Sequence, residues 1–189
     1  NEISGECRFG LPIIFLIMNN HYGMTGRADN EVVGVSRLSQ RAAGFADNNM
    51  HAETVNGMDV LAVRDAVGRA AQGCRAGRGP YLLELINYRY YGHSLSDPRN
   101  EYRTRDEEEA WKQLDPIRSF ELQLLESNVI DEAGIEQLRD KVQQRNARAA
   151  TRAAASPDPD PADVIKFMYT SSVAEEVPLE FREVEVFEP

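Results

Sequence analysis

The chain has 189 residues, a formal net charge of −10 and 42% hydrophobic residues. That is enough apolar material for the core of one ordinary domain, and it excludes a disordered chain. With a pI near 4.8, the acidic balance argues against nucleic acid or an anionic membrane as the main partner. The longest apolar run is too short to span a bilayer, and no secretory leader is expected from the polar residues before Leu11, which include Glu2 and Glu6. Cys7 and Cys74 lack the spacing of a metal site and read as reduced thiols. The chain opens on Asn1 and reaches a core strand about ten residues later, so the start of the domain is expected to lie upstream.

Pro12-Ile13-Ile14-Phe15-Leu16-Ile17-Met18 is uncharged and rich in β-branched and aromatic types, which predicts a strand buried on both faces of a parallel sheet. Residues 25–31 are polar and irregular, and Val35, Leu38, Ala42 and Phe45 have helical spacing. A short strand around Glu53-Thr54-Val55 runs into the turn Asn56-Gly57. Asp59 is then an N-cap for a helix whose inner stripe is Val63, Ala66, Val67, Ala70, Ala71 and Cys74. Gly77-Arg78-Gly79-Pro80 ends that helix and Tyr81–Ile86 is the next strand. After a loop over 88–105, the run Arg105-Asp106-Glu107-Glu108-Glu109 suits a helix N-terminus, with Trp111 in packing. Asp115-Pro116 starts another helix, and Ile130 and Ile135 suit a staple around an Asp131 cap on a helix reaching Ala155. Ser156–Pro161 is a stiff spacer, a short helix follows at Val164–Met168, and residues 173–189 form an acidic arm.

The fold class read from this order is α/β. Three parallel strands needing cover on both faces make a poor independent core, so further strands are expected from an upstream segment or another chain. The domain reading is 1–105 for the α/β part, 106–172 for a helical region and 173–189 for the arm.

Ligands of open α/β sheets sit outside the carboxyl ends of the strands. Asn19-Asn20-His21-Tyr22-Gly23 occupies that position after the first strand. An Asn amide oxygen and a carbonyl freed by a Gly turn suit Mg²⁺ or Ca²⁺; the alternative is a pair of Asn residues that satisfy a turn. Tyr88-Arg89-Tyr90-Tyr91-Gly92-His93-Ser94-Leu95-Ser96-Asp97-Pro98 leaves the other strand toward the same edge. Read as residues, His93 is the cap of a loop and Arg89 the partner of a surface carboxylate, and the loop carrying Ser94 and Ser96 is expected to be held by Asp97, Arg103 and Arg105 ion pairs. His21 and His51 read as solvent-facing.

These segments, with Asn56-Gly57-Met58-Asp59, resemble the α subunits of thiamine-diphosphate-dependent 2-oxo acid dehydrogenases, over about Leu11 to Tyr169. The resemblance implies part of a doubly wound, parallel-sheet thiamine-diphosphate-binding fold whose N-terminal strands are absent from this chain. It implies Asn20 and the Tyr22 carbonyl as Mg²⁺ ligands and Gly23 beside the cofactor. Arg89 and His93 would face its diphosphate, with His93 as the catalytic candidate. Ser94 matches a regulatory phosphorylation site of the family, whereas Glu101 replaces a second such serine. The family's Gly-Asp-Gly, which brings the carboxylate ligand, does not occur in this sequence. The implied partners are a β subunit, the missing N-terminal α segment and the lipoyl domain of an acyltransferase component. The compartment would be the cytoplasm in a bacterium or the mitochondrial matrix in a eukaryote. The segment Gly92–Pro98 favours pyruvate over acetoin or branched-chain 2-oxo acids. A scaffold fragment that keeps the fold without the ligand set is the reading from another class, and an independent Mg²⁺-phosphate module is a third.

Overall fold

The computed structural model describes residues 10–24, 26–28, 31, 33–48 and 50–166. The apolar run near the start forms strand β1, Ile14–Asn19, and the two later strands are β4, His51–Asn56, and β5, Tyr81–Ile86. All three are parallel in the order β1-β5-β4, with Asn19 and Asn56 both in register with Ile86. Parallel neighbours need a crossover, and helix α1, Val60–Arg75, supplies it between β4 and β5. A small antiparallel pair, β2 (Tyr22–Gly23) and β3 (Gly26–Arg27), follows β1.

Side chains of β5 alternate between two cores. Leu83 and Leu85, with Val55 from β4, pack under Ala66 and Ala70 of α1. On the other face Leu82 meets Ala42 and Met50, with Phe15, Ile17 and Phe45 around them. The small residues on the inner stripe of α1 let helix and sheet approach closely: a Cβ added to Gly73 would collide with the Tyr81 ring and hydroxyl. Asp59 caps α1 by accepting from the Leu61 and Ala62 N–H groups at 2.9 and 3.0 Å, and Gly77 leaves the helix with φ +72°. Cys74 lies on the inner face of α1 as a buried free thiol.

Two expectations are corrected here. β1 is not buried on both faces: Leu16 and Met18 are 52% and 67% exposed. The reason is placement, since α1 packs mainly over β5 and β4, with Ile14 the β1 residue joined to that core. The segment with helical spacing over 35–45 begins only at Leu38 and winds as a 3-10 helix, Leu38–Asn48. Gly44, Asp47 and Asn48 are poor α-helix formers, yet the segment still carries Ala42 and Phe45 onto the sheet.

Helices α2 (Arg105–Lys112) and α3 (Pro116–Glu126) follow, capped by Thr104 and Asp115. Helix α4, Glu132–Ala154, opens with Asp131 accepting from the Gly134 N–H at 2.7 Å and with Ile135 buried. The chain divides into two compact units, one ending at Ile135 and one beginning at Glu136. Among the described residues the second contains the remainder of α4, the irregular stretch 156–161 and the short helix α5, Asp163–Lys166. Cys7, the rest of the last expected helix and the acidic arm lie outside the described residues. Among the described residues no helix is long and apolar enough to cross a membrane.

Candidate functional site

The register that aligns Asn19, Ile86 and Asn56 brings three exits to one sheet edge. Each Asn there shapes its own turn. Asn19 Oδ1 accepts from the His21 N–H at 3.2 Å, Asn20 Oδ1 from the Tyr22 N–H at 3.2 Å, and Asn56 Oδ1 from the Met58 N–H at 3.0 Å. His21 is driven to φ +69°. The Asn87 N–H donates to the Asn19 carbonyl at 3.0 Å, so the exits of β1 and β5 leave side by side. Asn20 therefore does satisfy a turn, but an amide oxygen has two lone pairs, and one remains for a cation. Gly57 enters against β5 so closely that an added Cβ would lie 2.7 Å from the Ile86 carbonyl oxygen.

Helix α2 clamps both exits. The Tyr22 and Tyr88 hydroxyls donate to one oxygen, Glu107 Oε1, at 2.5 and 3.2 Å. Burial and the Glu107 carboxylate push both phenols above the ordinary tyrosine value, so they stay protonated donors. The buried guanidinium of Arg103 lies 5.4 to 5.7 Å from the ring centroids of Tyr22, Tyr88 and Tyr102. It donates to the carbonyls of Arg89 and Tyr90 and pairs with Glu108 at 2.8 Å. Trp111 stacks on Tyr88 with centroids 5.1 Å apart, which agrees with a packing role. His21 is not solvent-facing as expected: its ring leans on Trp111 at 5.2 Å, because the left-handed turn swings it toward α2. His51 is exposed and stacks on Tyr81.

The two diphosphate candidates meet directly, Arg89 Nη1 to His93 Nδ1 at 2.9 Å. A guanidinium has no acceptor, so Nδ1 accepts and the ring proton sits on Nε2. Asp97 gathers this loop by accepting from the His93 and Arg99 N–H groups at 2.7 and 2.9 Å and from the Tyr102 hydroxyl at 2.6 Å. Those bonds, Tyr102 first, hold its carboxyl down to about 2. The loop is thus held by hydrogen bonds to Asp97 rather than by the expected ion pairs; Arg103 is committed to Glu108 and two carbonyls, and Arg105 opens α2. Ser94 is exposed, with its hydroxyl 3.0 Å from that of Ser96.

Sequence reasoning missed Glu84, Arg103 and Glu107. Glu84 is 0% exposed in the middle of β5. Its Oε1 accepts from Asn19 Nδ2 at 2.8 Å, and its Oε2 from the Ser39 N–H at 3.0 Å and the Thr54 hydroxyl at 3.1 Å. Burial raises the carboxyl, but the donors from Ser39, Asn19, Leu38 and Thr54 together outweigh it and hold it below its ordinary value. One signal was available: a charge inside Leu82-Leu83-Glu84-Leu85 must find donors on whatever face it enters. A cavity of about 530 Å³ lies next to this network, lined by Asn19, His21, Val35, Arg37 and Leu38 among others.

The structure thus joins Arg89 to His93 and sets them on the exit neighbouring Asn20, Tyr22 and Gly23. Among the described residues it forms no cluster of His, Cys, Asp and Glu able to hold a metal.

Comparison with known proteins places these elements. The family model described as "Dehydrogenase E1 component" matches residues 8–162. A pyruvate dehydrogenase E1 component subunit alpha from Porphyra purpurea is 32% identical over 162 residues, 86% of this chain and 46% of that protein. The subunit of the same name from Rhizobium meliloti (strain 1021) is 36% identical over 151 residues, covering 79% and 42%. The somatic, mitochondrial form from Homo sapiens is 37% identical over 173 residues, covering 88% and 42%. The chain spans less than half the length of these relatives.

Proposed function

The chain belongs to the dehydrogenase E1 component family, and from that membership we propose that it is part of the α subunit of a pyruvate-type 2-oxo acid dehydrogenase. The activity proposed for the complete enzyme is decarboxylation of pyruvate on thiamine diphosphate, with transfer of the acetyl group to a lipoyl domain of an acyltransferase partner. Residues 1–105 are then the later part of the cofactor-binding domain, 106–172 its helical region and 173–189 a docking arm. The compartment follows the source, cytoplasm for a bacterium and mitochondrial matrix for a eukaryote.

The observation that carries the reading is the adjacency of the Asn19–Tyr22 turn and the Arg89–His93 pair at the carboxyl ends of neighbouring parallel strands. These residues fit a diphosphate: Arg89 brings guanidinium donors and His93 the Nε2–H that its contact with Arg89 leaves outward for bonding. They fit half of a Mg²⁺ site, with the Asn20 amide oxygen, the Tyr22 carbonyl and Gly23 making room beside them. Mg²⁺ is usually held through a carboxylate as well, and that group must come from a Gly-Asp-Gly segment outside this chain. Thiamine diphosphate, when bound, supplies the electron sink for breaking the bond to the carboxylate. The protein's part is to bind, orient and exclude water. Tyr22, Tyr88 and Trp111 build the dry wall, and Arg103 and Glu107 keep the two exits together. His93 then acts on the diphosphate and its surroundings as a hydrogen-bond donor.

The test is reconstitution with a β subunit and the upstream α segment, read as pyruvate-dependent reduction of an artificial electron acceptor. Turnover should need all three components; turnover by this chain alone would overturn the reading. A second reading is a non-catalytic assembly fragment. Micromolar binding of Mg²⁺ and thiamine diphosphate by the lone chain, measured by calorimetry, would eliminate that alternative. The resemblance of Gly92–Pro98 to pyruvate members, and the pyruvate dehydrogenase names of the relatives, favour pyruvate over acetoin or branched-chain substrates.

A further inference from the structure

Glu84 is buried, ionised and contacted by neutral donors from three other elements: Asn19 of β1, Thr54 of β4 and the Leu38–Ser39 start of the 3-10 helix. Among the described residues no cation pairs with Glu84, and a buried carboxylate held by neutral donors is a costly way to tie a sheet together, since apolar residues of similar size commonly do as well or better. What a carboxylate does that other side chains cannot is accept on every lone pair. The Ser39 N–H is part of the backbone and cannot turn away, and the Thr54 hydroxyl also bonds Ser39 Oγ at 2.7 Å. The Asn19 amide is the adjustable member. Facing a pure acceptor, it must present Nδ2 to Glu84, which leaves Oδ1 turned to the His21 N–H.

We infer that Glu84 is a positioning residue: by fixing which way the Asn19 amide faces, it sets the turn at His21 that presents Asn20 and the Tyr22 carbonyl. Its control of the turn stands on geometry alone; that the turn serves a cation and diphosphate rests on the function proposed above. Glu84→Gln tests the claim with almost no change in shape. The Gln oxygen is taken by the immobile Ser39 N–H, so its NH₂ faces Asn19. The Asn19 amide then flips, and His21 loses its acceptor.

The measurement is hydrogen–deuterium exchange resolved to single amides by electron-transfer fragmentation, on the protein containing the full chain. Exchange at His21 should rise about tenfold in Glu84→Gln, the equivalent of one net hydrogen bond. Adding Glu84→Gln to Asn19→Ala should bring no further rise at His21, since both act through the same amide. Thr54→Val removes a different donor from Glu84 and should lower the melting temperature while His21 exchange stays as in the parent. Glu84→Asp keeps the charge but withdraws it from Asn19, so it provides the reading at His21 if Glu84→Gln does not fold. Unchanged His21 exchange in the folded Glu84 variant, or an equal rise in Thr54→Val, would reduce Glu84 to general support and overturn the inference. Calorimetry with Mg²⁺ and inorganic pyrophosphate separates the two claims. A parent assembly, with the upstream α segment and the β subunit present, that binds neither would, combined with the expected exchange pattern, refute the cofactor reading and leave the positioning role standing.

Discussion

The turn at Asn19–Tyr22 and the loop at Gly92–Tyr102 sit on adjacent strand exits, and each is organised by a carboxylate, yet the two are built in opposite ways. Glu84 holds the first from beneath, wholly buried, with donors from three other elements. Asp97 holds the second from within, with every hydrogen bond coming from the same short stretch, His93 to Tyr102. A carboxylate bonded by distant elements can be released only by disturbing the sheet. One bonded by its own loop can be released while the rest of the fold stays intact.

The largest effect should come from Arg103, which together with Glu107 ties the two exits to a single wall. Arg103→Ala takes from Glu108 its close partner, leaving it only Arg99 at 3.9 Å, and takes from the Arg89 carbonyl its guanidinium donor, while the Tyr90 carbonyl keeps Arg99; unfolding in denaturant should become easier by about 3 kcal/mol. Exchange should then rise in both regions; a rise in the loop alone would show that the turn does not depend on this clamp. Tyr22→Phe is milder. It removes one of two phenols from Glu107 Oε1, which still accepts from Tyr88, and should cost about 1–2 kcal/mol, with faster exchange confined to the turn.

Acid separates the regions further. Asp97 has its carboxyl lowered from 3.8 to about 2, and a lowered carboxyl stabilises the folded form above its unfolded value and loses that contribution as pH falls through its folded value. The loop should therefore be intact near pH 5 and open progressively between about pH 4 and pH 2, seen as pepsin cleavage between Gly92 and Arg103. Glu84 is also lowered, so its contribution has the same sign and is likewise lost on acidification. Its release should coincide with loss of the sheet signal in circular dichroism, not precede it. The smallest effect on global stability belongs to Asp97→Asn, which should make the loop protease-sensitive at neutral pH while leaving the melting temperature within a degree or two. A large fall in melting temperature would show that the loop is part of the core after all.

Much of this was legible in the residues. Apolar runs with β-branched side chains announced the strands, and Asp59, Asp115 and Asp131 announced helix starts, because caps and periodicity act over a few residues. The motifs on the two exits were also readable, since a strand end is visible in sequence and parallel strands share an edge. The exposure of Leu16 and Met18 was not readable, because it depends on where α1 lies across the sheet. Nor was the 3-10 winding of Leu38–Asn48, where the apolar spacing suits either helix.

The sequence by itself determined the elements, the α/β class and the family, all of which rest on local patterns and on residue types at short spacing. Only the tertiary structure decided that Arg89 donates to His93, that Tyr22 and Tyr88 share Glu107, and that Glu84 reaches back to Asn19. The physical reason is the same in each case. Such contacts join residues far apart in the chain, and a polar group shows what it needs but not which strand or helix will bring it.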